Sequence, residues 1–215
     1  MPQYIFDLDL TLYSEKDFTD TEDQEEYYNS FKPKPELAML LNKLKGRKYI
    51  LTNANIAHVD EVLCKLQLKN IFDDLMSSDV AESYKPSQDI YHIANHIFEI
   101  DKHKKNKDDP VYFFEDMLEN LVKGKKLYNW NQVLIDPNNQ NHRTDHCFKT
   151  IEDAISYFIE NEKKIYSERT NLPKINYLPK IYRSTLGKED NVEPKQKIKN
   201  TQHNSTKTNK NKKKS

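Results

Sequence analysis

Acidic, hydroxyl and amide side chains follow several short apolar segments of this sequence. Asp7 ends the first segment, and Asp9 comes two residues later. Thr52 and Asn53 end the second segment in the same way. A carboxylate can ligate a metal ion or act as a nucleophile, and hydroxyl and amide groups can donate hydrogen bonds to an anion. These residue types therefore indicate chemistry on a charged substrate.

A later apolar segment ends in a pair of acids, Glu115 and Asp116, and Lys85 precedes Pro86 ahead of that segment. The carboxyl ends of parallel strands meet at one edge of a sheet, so these groups would converge there. Four carboxylates gathered at one edge would repel one another unless positive charge lay among them. Mg²⁺ is a hard cation that prefers oxygen ligands, and the pattern therefore predicts a magnesium site.

The segments that carry these groups are typical of strands buried on both faces. Their apolar residues run on without alternating with polar residues, as in a parallel sheet covered by helices. The four clearest candidates and one weaker candidate are residues 3–7, 48–53, 111–115, 132–135 and 75–77. Helical patterns between them begin near Pro35, Asn55, Pro86 and Thr150. This alternation predicts an α/β fold built from right-handed βαβ units.

Four motifs, in the same chain order, resemble those of the haloacid dehalogenase (HAD) superfamily. Residues 6–13 (FDLDLTLY) are similar to its first motif, Asp-x-Asp-x-Thr after a strand, and residues 51–53 (LTN) to its second. Lys85 in YKPS is similar to the third motif, and residues 113–120 (FFEDMLEN) to the fourth. The likeness covers about residues 3–160. Its core is closest to the pyrimidine 5′-nucleotidase-like branch, through the segments 52–58, 119–127 and 144–155.

The resemblance implies a three-layer, Rossmann-like core, and we expect a five-stranded parallel sheet of order 5-4-1-2-3. Family members with a helical cap carry a long insertion after the first motif, whereas only residues 14–33 are available here. We expect a short flap in place of a cap, and a nearly capless site open to bulky substrates. Leu10 fills a motif position that is often Asn or Gly, and this removes no catalytic group.

The resemblance also implies roles for the acids. Asp7 would be the nucleophile that takes up a phosphoryl group, while Asp9 would protonate the leaving group and then activate water. Mg²⁺ would bind Asp7, the backbone carbonyl of Asp9 and Asp116, with Glu115 close by. Because Asp9 must be protonated when the leaving group departs, we expect its pKa to lie above the ordinary value of about 3.9.

The remaining candidates would hold phosphate or support the acids. The phosphate-binding residues would be Thr52, Asn53 and Lys85, with Lys85 also a catalytic group that neutralises charge. Support would come from Thr11, Asn120 and His58. For Asn120, positioning and a structural role are both open. For His58, near the start of its helix, capping or packing is favoured over catalysis.

These features predict a Mg²⁺-dependent phosphohydrolase that cleaves phosphomonoesters through an aspartyl-phosphate intermediate. The phosphorylated substrate would be a nucleotide, another small phosphomonoester or a macromolecule. One alternative is a catalytically silent binding or scaffold protein with the same fold. Another is a polynucleotide-end or protein phosphatase rather than a nucleotidase. A phosphotransferase such as a mutase is disfavoured, because an open site does not exclude water between steps.

Charge and composition divide the chain. Its 215 residues carry 34 basic and 34 acidic side chains, but residues 195–215 hold eight lysines and no acid. We therefore expect an HAD-like hydrolase core over 1–165, a C-terminal extension over 166–187 and a disordered Lys/Asn-rich tail over 188–215. With 3 Gly and 2 Cys, the composition excludes collagen-like and disulfide-scaffold classes.

Location and partners follow from the same composition. No apolar run approaches the roughly 20 residues of a membrane-spanning helix, and the first ten residues lack a basic signal region. We expect no membrane association and a cytoplasmic protein, or a nuclear one if the Lys-rich tail acts as an address. The tail could also contact nucleic acid, although the acidic body disfavours extended binding. The oligomeric state is left open.

Overall fold

The computed structural model describes residues 1–104, 109–138 and 144–171. The described strands are β1 (Gln3–Phe6), β2 (Arg47–Leu51), β3 (Asp74–Met76), β4 (Val111–Glu115), β5 (Asn131–Ile135) and β6 (His146–Phe148). The described helices are α1 (Gln24–Ser30), α2 (Pro35–Lys43), α3 (Ile56–Lys65), α4 (Ser78–Ala81), α5 (Gln88–Ile97), α6 (Leu118–Tyr128) and α7 (Ile151–Asn171), with a 3₁₀ turn at Glu15–Asp17.

The strands form one parallel sheet in the order β3-β2-β1-β4-β5-β6. The prediction of five strands is wrong, because β6 joins the edge beside β5 and pairs Val133 with His146. The other five strands follow the expected order. Strand β6 has three half-buried residues and no apolar run, so periodicity gave no signal for it.

Two apolar clusters cover the two faces of the sheet. Alternate residues of β1 enter different clusters, since Tyr4 and Phe6 pack beneath α2, α3 and α7, whereas Ile5 packs beneath α5 and α6. All four residues of β1 are buried. A central strand buried on both faces has no need of polar alternation, which explains its continuous apolar sequence. The result is the predicted three-layer α/β architecture.

The helices begin close to the residues that predicted them. Pro35 lies in the first turn of α2, and the Asn55 side chain caps α3 by accepting a hydrogen bond from the His58 backbone N–H (2.9 Å). The Thr150 hydroxyl likewise accepts from the Asp153 N–H at the start of α7 (3.1 Å). Each cap satisfies a donor that the helix itself leaves unpaired. These starts fix where the loops leave the carboxyl edge of the sheet.

The insertion at residues 14–33 packs against the core through aromatic rings. Phe31 stacks on Phe18 (5.2 Å between ring centroids) and meets Tyr13 and Tyr27 edge-on at 5.0 and 5.2 Å. Edge-on and offset stacking are the favoured geometries for such rings. Helix α1 is therefore held beside the loop that follows β1.

The domain boundaries predicted near the carboxyl terminus lie partly outside the described residues. Helix α7 continues to Asn171, past the expected core boundary at residue 165. Residues 172–215 lie outside the described residues, and with them most of the 166–187 extension and the whole 188–215 tail. Among the described helices, none has both the length and the apolarity needed to cross a bilayer.

Candidate active site

The ends of three neighbouring strands bring the predicted acids and Thr52 to one edge of the sheet. The Asp7 backbone N–H donates to the Phe114 carbonyl (2.9 Å), and the Thr52 N–H donates to the Met76 carbonyl (3.0 Å). These bonds continue the strand pairing by one residue and fix both backbones. The carboxylate groups of Asp7, Glu115 and Asp116 offer oxygens that all lie within 4.8 Å of one another. Residues distant in sequence thus meet in one cluster.

Lys85 lies inside this cluster. Its ammonium group donates to Asp7 Oδ1 (2.6 Å) and Glu115 Oε1 (2.7 Å), and its side chain is only 1% exposed. The Asn53 amide fixes its backbone, because Asn53 Oδ1 accepts from the Lys85 N–H (2.6 Å) and Asn53 Nδ2 donates to the Lys85 carbonyl (3.1 Å). The Asn53 side chain, which is predicted to bind phosphate, thus holds the Lys85 backbone.

The Glu115 carboxylate is satisfied by protein groups on both oxygens. Its Oε1 accepts from Lys85 and from the Asn120 side-chain amide, and its Oε2 accepts from the Met117 N–H (2.6 Å). This leaves Asp7 and Asp116 better placed than Glu115 for direct metal ligation. The Asn120 side chain thus contacts Glu115 in this cluster.

The charges of the cluster suit a divalent cation. Burial raises the pKa of Asp7 to about 7, against the attraction of Lys85 and with the repulsion of Glu115. Burial also raises the pKa of Glu115, and burial and Asp7 raise that of Asp116. Three carboxylates and one ammonium leave two uncompensated negative charges when all are ionised. The site thus combines hard oxygen donors with the charge deficit that one Mg²⁺ ion would balance.

Asp9 differs from the other acids. Although burial opposes it, hydrogen bonds from His58 and Tyr13 hold the pKa of Asp9 below its ordinary value. Both donors reach Asp9 Oδ1, His58 Nε2 at 2.9 Å and the Tyr13 hydroxyl at 2.5 Å. The expectation of a raised Asp9 pKa is therefore wrong for this structure, because donors to a carboxylate favour its charged form. Asp9 is ionised here and must gain a proton before it can act as an acid.

The other predicted residues are also found at this edge. The Thr11 hydroxyl lies 3.5 Å from Asp7 Oδ2, and the buried Thr52 hydroxyl accepts from the Ala54 N–H (3.1 Å). The side chain of His58 contacts Asp9, whereas its backbone takes part in capping. Sequence reasoning missed Tyr13, whose only signal was its place four residues after Asp9.

We expect the stability of the protein in EDTA to depend on the ionisation of Asp7. Its pKa is about 7 in the folded chain against an ordinary 3.8, so the folded state binds more protons than the unfolded state between these values. The free energy of unfolding should therefore fall as the pH rises through this window. Urea unfolding at a series of pH values measures this slope. Asp7→Asn should flatten it, whereas Asp60→Asn at an exposed position should not, and an unchanged slope in Asp7→Asn would contradict the assignment.

Comparison with known proteins identifies related folds. No protein-family model and no curated protein sequence matches the chain. Among solved structures, a HAD phosphatase from Thermococcus onnurineus matches at 14% identity and TM-score 0.57, covering 73% of this chain and 97% of that chain. CbbY from Rhodobacter sphaeroides in complex with phosphate matches at 15% identity and TM-score 0.50, covering 70% and 95%.

L-2-haloacid dehalogenase from Xanthobacter autotrophicus is also similar. One structure of it matches at 13% identity and TM-score 0.54, covering 72% of this chain and 96% of that chain. A second, with chloropropionic acid covalently bound, matches at 16% identity and TM-score 0.49, and the match spans 60% of this chain and 62% of that chain. At these identities the likeness establishes a shared fold rather than a shared activity.

Proposed function

We propose that this chain, which has the haloacid dehalogenase fold, is a Mg²⁺-dependent phosphohydrolase that cleaves phosphomonoesters with Asp7 as the nucleophile. The observation that carries this proposal is the cluster of the buried residues Asp7, Lys85 and Glu115 with the half-buried Asp116. Phosphoryl transfer depends mostly on positioning and on positive charge around the transferring group. A carboxylate nucleophile beside a buried ammonium and a cation site provides both.

The donors fit a resident Mg²⁺ ion. Asp7 and Asp116 would hold it through carboxylate oxygens, together with the backbone carbonyl of Asp9. Glu115 would contribute through its hydrogen bond with Lys85. When bound, Mg²⁺ supplies positive charge that neutralises the phosphoryl oxygens and orients them.

The chain's own residues account for both chemical steps. Asp7 attacks phosphorus to form an aspartyl-phosphate, and the departing oxygen takes a proton from Asp9. In the second step Asp9 accepts a proton from a water molecule that attacks phosphorus, and the bond from phosphorus to the Asp7 oxygen breaks. Lys85 holds Asp7 in place and offsets its charge, and Thr52 lies beside the same edge as a phosphate donor. The ionised Asp9 of this structure corresponds to the base of the second step.

The acids also favour phosphate over halide chemistry. Displacement of a halide releases an anion that needs no proton, so the acid function of Asp9 and the cation site would have no task in it. A phosphomonoester of an aliphatic alcohol needs both, since its leaving oxygen must be protonated and its phosphoryl group carries negative charge. The proposed substrates are a nucleotide, another small phosphomonoester or a phosphorylated macromolecule.

A catalytically silent binding scaffold is the competing function. A test for phosphate release distinguishes it from a phosphohydrolase. Release of phosphate from p-nitrophenyl phosphate with Mg²⁺, and its loss in EDTA, would support the enzyme. Absence of hydrolysis across nucleotides, small esters, phosphopeptides and end-phosphorylated oligonucleotides, together with absence of Mg²⁺ binding, would favour the scaffold. The screen should use the full chain, since residues 172–215 lie outside the part of the chain that the structure describes.

We expect Mg²⁺ to stabilise the folded protein. Binding to the folded state alone adds about 2.7 kcal/mol to the free energy of unfolding when free Mg²⁺ is about 100 times its Kd. Thermal unfolding with and without Mg²⁺ measures this, with Ca²⁺ as a comparison. Asp116→Asn should lose most of the increase, while Glu119→Gln, an exposed acid on α6, should keep it. An equal increase in both variants would refute Asp116 as a ligand.

A further inference from the structure

We propose that helix α1 positions the acid–base group Asp9 through two arms, a hydrogen-bonded one through His58 and one through Tyr13, whose ring packs beside the helix. This inference rests on the proposed function, because it assigns Asp9 a proton to deliver. In this proposal the insertion at residues 14–33 contributes to the active site by orienting the Asp9 carboxylate.

The first arm runs from Asp9 through His58 to Tyr28. His58 Nε2 lies 2.9 Å from Asp9 Oδ1, and His58 Nδ1 lies 3.0 Å from the Tyr28 hydroxyl. Each ring nitrogen of His58 therefore has one partner, the Asp9 carboxylate on one side and the Tyr28 hydroxyl on the other. The hydroxyl of Tyr28 therefore helps to fix the orientation of the ring that faces Asp9.

The second arm runs from Asp9 through Tyr13 to the aromatic rings beside α1. The Tyr13 hydroxyl donates to Asp9 Oδ1 (2.5 Å). The Tyr13 ring is 4% exposed and lies edge-on against Phe31 at 5.0 Å, so its hydroxyl has little freedom to move. The first arm thus ends on Tyr28 of α1 and the second on Phe31, the residue that directly follows α1 and also packs against Tyr27.

The geometry of the arms gives the two oxygens of Asp9 different tasks. Both donors hold Oδ1, while the side chain of Asp9 remains 40% exposed. Oδ2 is the oxygen left to carry the proton toward the leaving group. A carboxylate held at one oxygen by two donors on packed elements is restrained in rotation, which is what a general acid requires.

Dependence on the leaving group distinguishes positioning of an acid from plain packing. An alkyl phosphate such as glycerol phosphate needs its leaving oxygen protonated, whereas p-nitrophenyl phosphate has a leaving group stable as an anion. His58→Leu and Tyr28→Phe should lower kcat for the alkyl ester by about 10-fold or more, within the roughly 10²- to 10⁴-fold range of general acid catalysis. For p-nitrophenyl phosphate the fall should stay below about 3-fold. His58→Gln retains a donor and should recover much of the lost rate.

A surface pair provides the matched control. His92 Nδ1 and the Tyr128 hydroxyl lie 2.6 Å apart on α5 and α6, so Tyr128→Phe removes the same kind of bond away from Asp9 and should leave both rates unchanged. Equal falls on both esters, or unchanged rates in His58→Leu and Tyr28→Phe beside an active wild type, would overturn the positioning role alone. A wild type inactive on both esters would overturn the proposed function and this inference together.

Discussion

Replacing Asp7 with asparagine is expected to abolish phosphate release, with a fall of about 10⁴-fold or more in kcat. The amide is a poor nucleophile, and the first step depends on attack by this side chain. The substitution keeps the shape of the residue and an oxygen that can accept from the Lys85 ammonium, now 2.6 Å from Asp7 Oδ1. The fold should therefore survive. Hydrolysis of p-nitrophenyl phosphate with Mg²⁺ measures the rate, and thermal unfolding measures the fold.

Stability separates a chemical from a structural effect of this change. Burial and repulsion from Glu115 raise the pKa of Asp7, to about 7, so the charged form of Asp7 is disfavoured in the folded state. Because Asp7→Asn removes this charge, the variant should be at least as stable as the wild type at neutral pH. Asp60→Asn, at an exposed position on α3, is the matched control and should keep full activity. An Asp7→Asn variant that is folded and retains more than about a tenth of the wild-type rate would exclude Asp7 as the nucleophile.

Replacing Lys85 with methionine is expected to have the largest effect on stability. The change leaves the carboxylates of Asp7 and Glu115 buried without their shared ammonium, and breaking one partner of a buried ion pair typically costs about 3–5 kcal/mol. Urea unfolding at neutral pH measures this loss. Activity should be lost as well, since the buried positive charge that offsets the phosphoryl group is removed.

A second substitution tests whether charge is the cause. Lys85→Met combined with Glu115→Gln removes one stranded carboxylate and should recover part of the lost stability, which mere loss of lysine packing would not allow. Lys69→Met at an exposed position, where Lys69 pairs with Asp60 at 3.0 Å, should leave the free energy of unfolding almost unchanged. Full stability in Lys85→Met would contradict the buried pairing.

Much of the fold could be predicted because its signals are local. Continuous apolar segments ending in Asp7, Thr52 and Glu115 mark strands buried on both faces, and the residues that cap α3 and α7 lie beside them in sequence. Strand β6 could not be found this way, since His146–Phe148 is short and half-buried. Its place depends on pairing with β5 rather than on its own pattern.

The site was predictable as a set of residues but not as a set of contacts. The position of Asp7 and Asp116 at strand ends explains why they meet. The hydrogen bonds between the Asn53 side chain and the Lys85 backbone depend instead on how the loop after α4 returns to the sheet. The same holds for Asp9, whose two donors, Tyr13 and His58, come from separate parts of the chain. Sequence spacing indicates which groups gather at an edge, but the lowered pKa of Asp9 follows from tertiary hydrogen bonds.

Capture of beryllium fluoride tests the central claim most directly, because BeF₃⁻ bonds to an aspartate nucleophile as a phosphoryl group does and requires no turnover. Fluorine NMR of the full chain with Mg²⁺ should show a bound signal that disappears in Asp7→Asn and in EDTA, and that remains in Asp60→Asn. A wild type that gives no bound signal, or a signal that persists in Asp7→Asn, would contradict Asp7 as the residue that takes up phosphate.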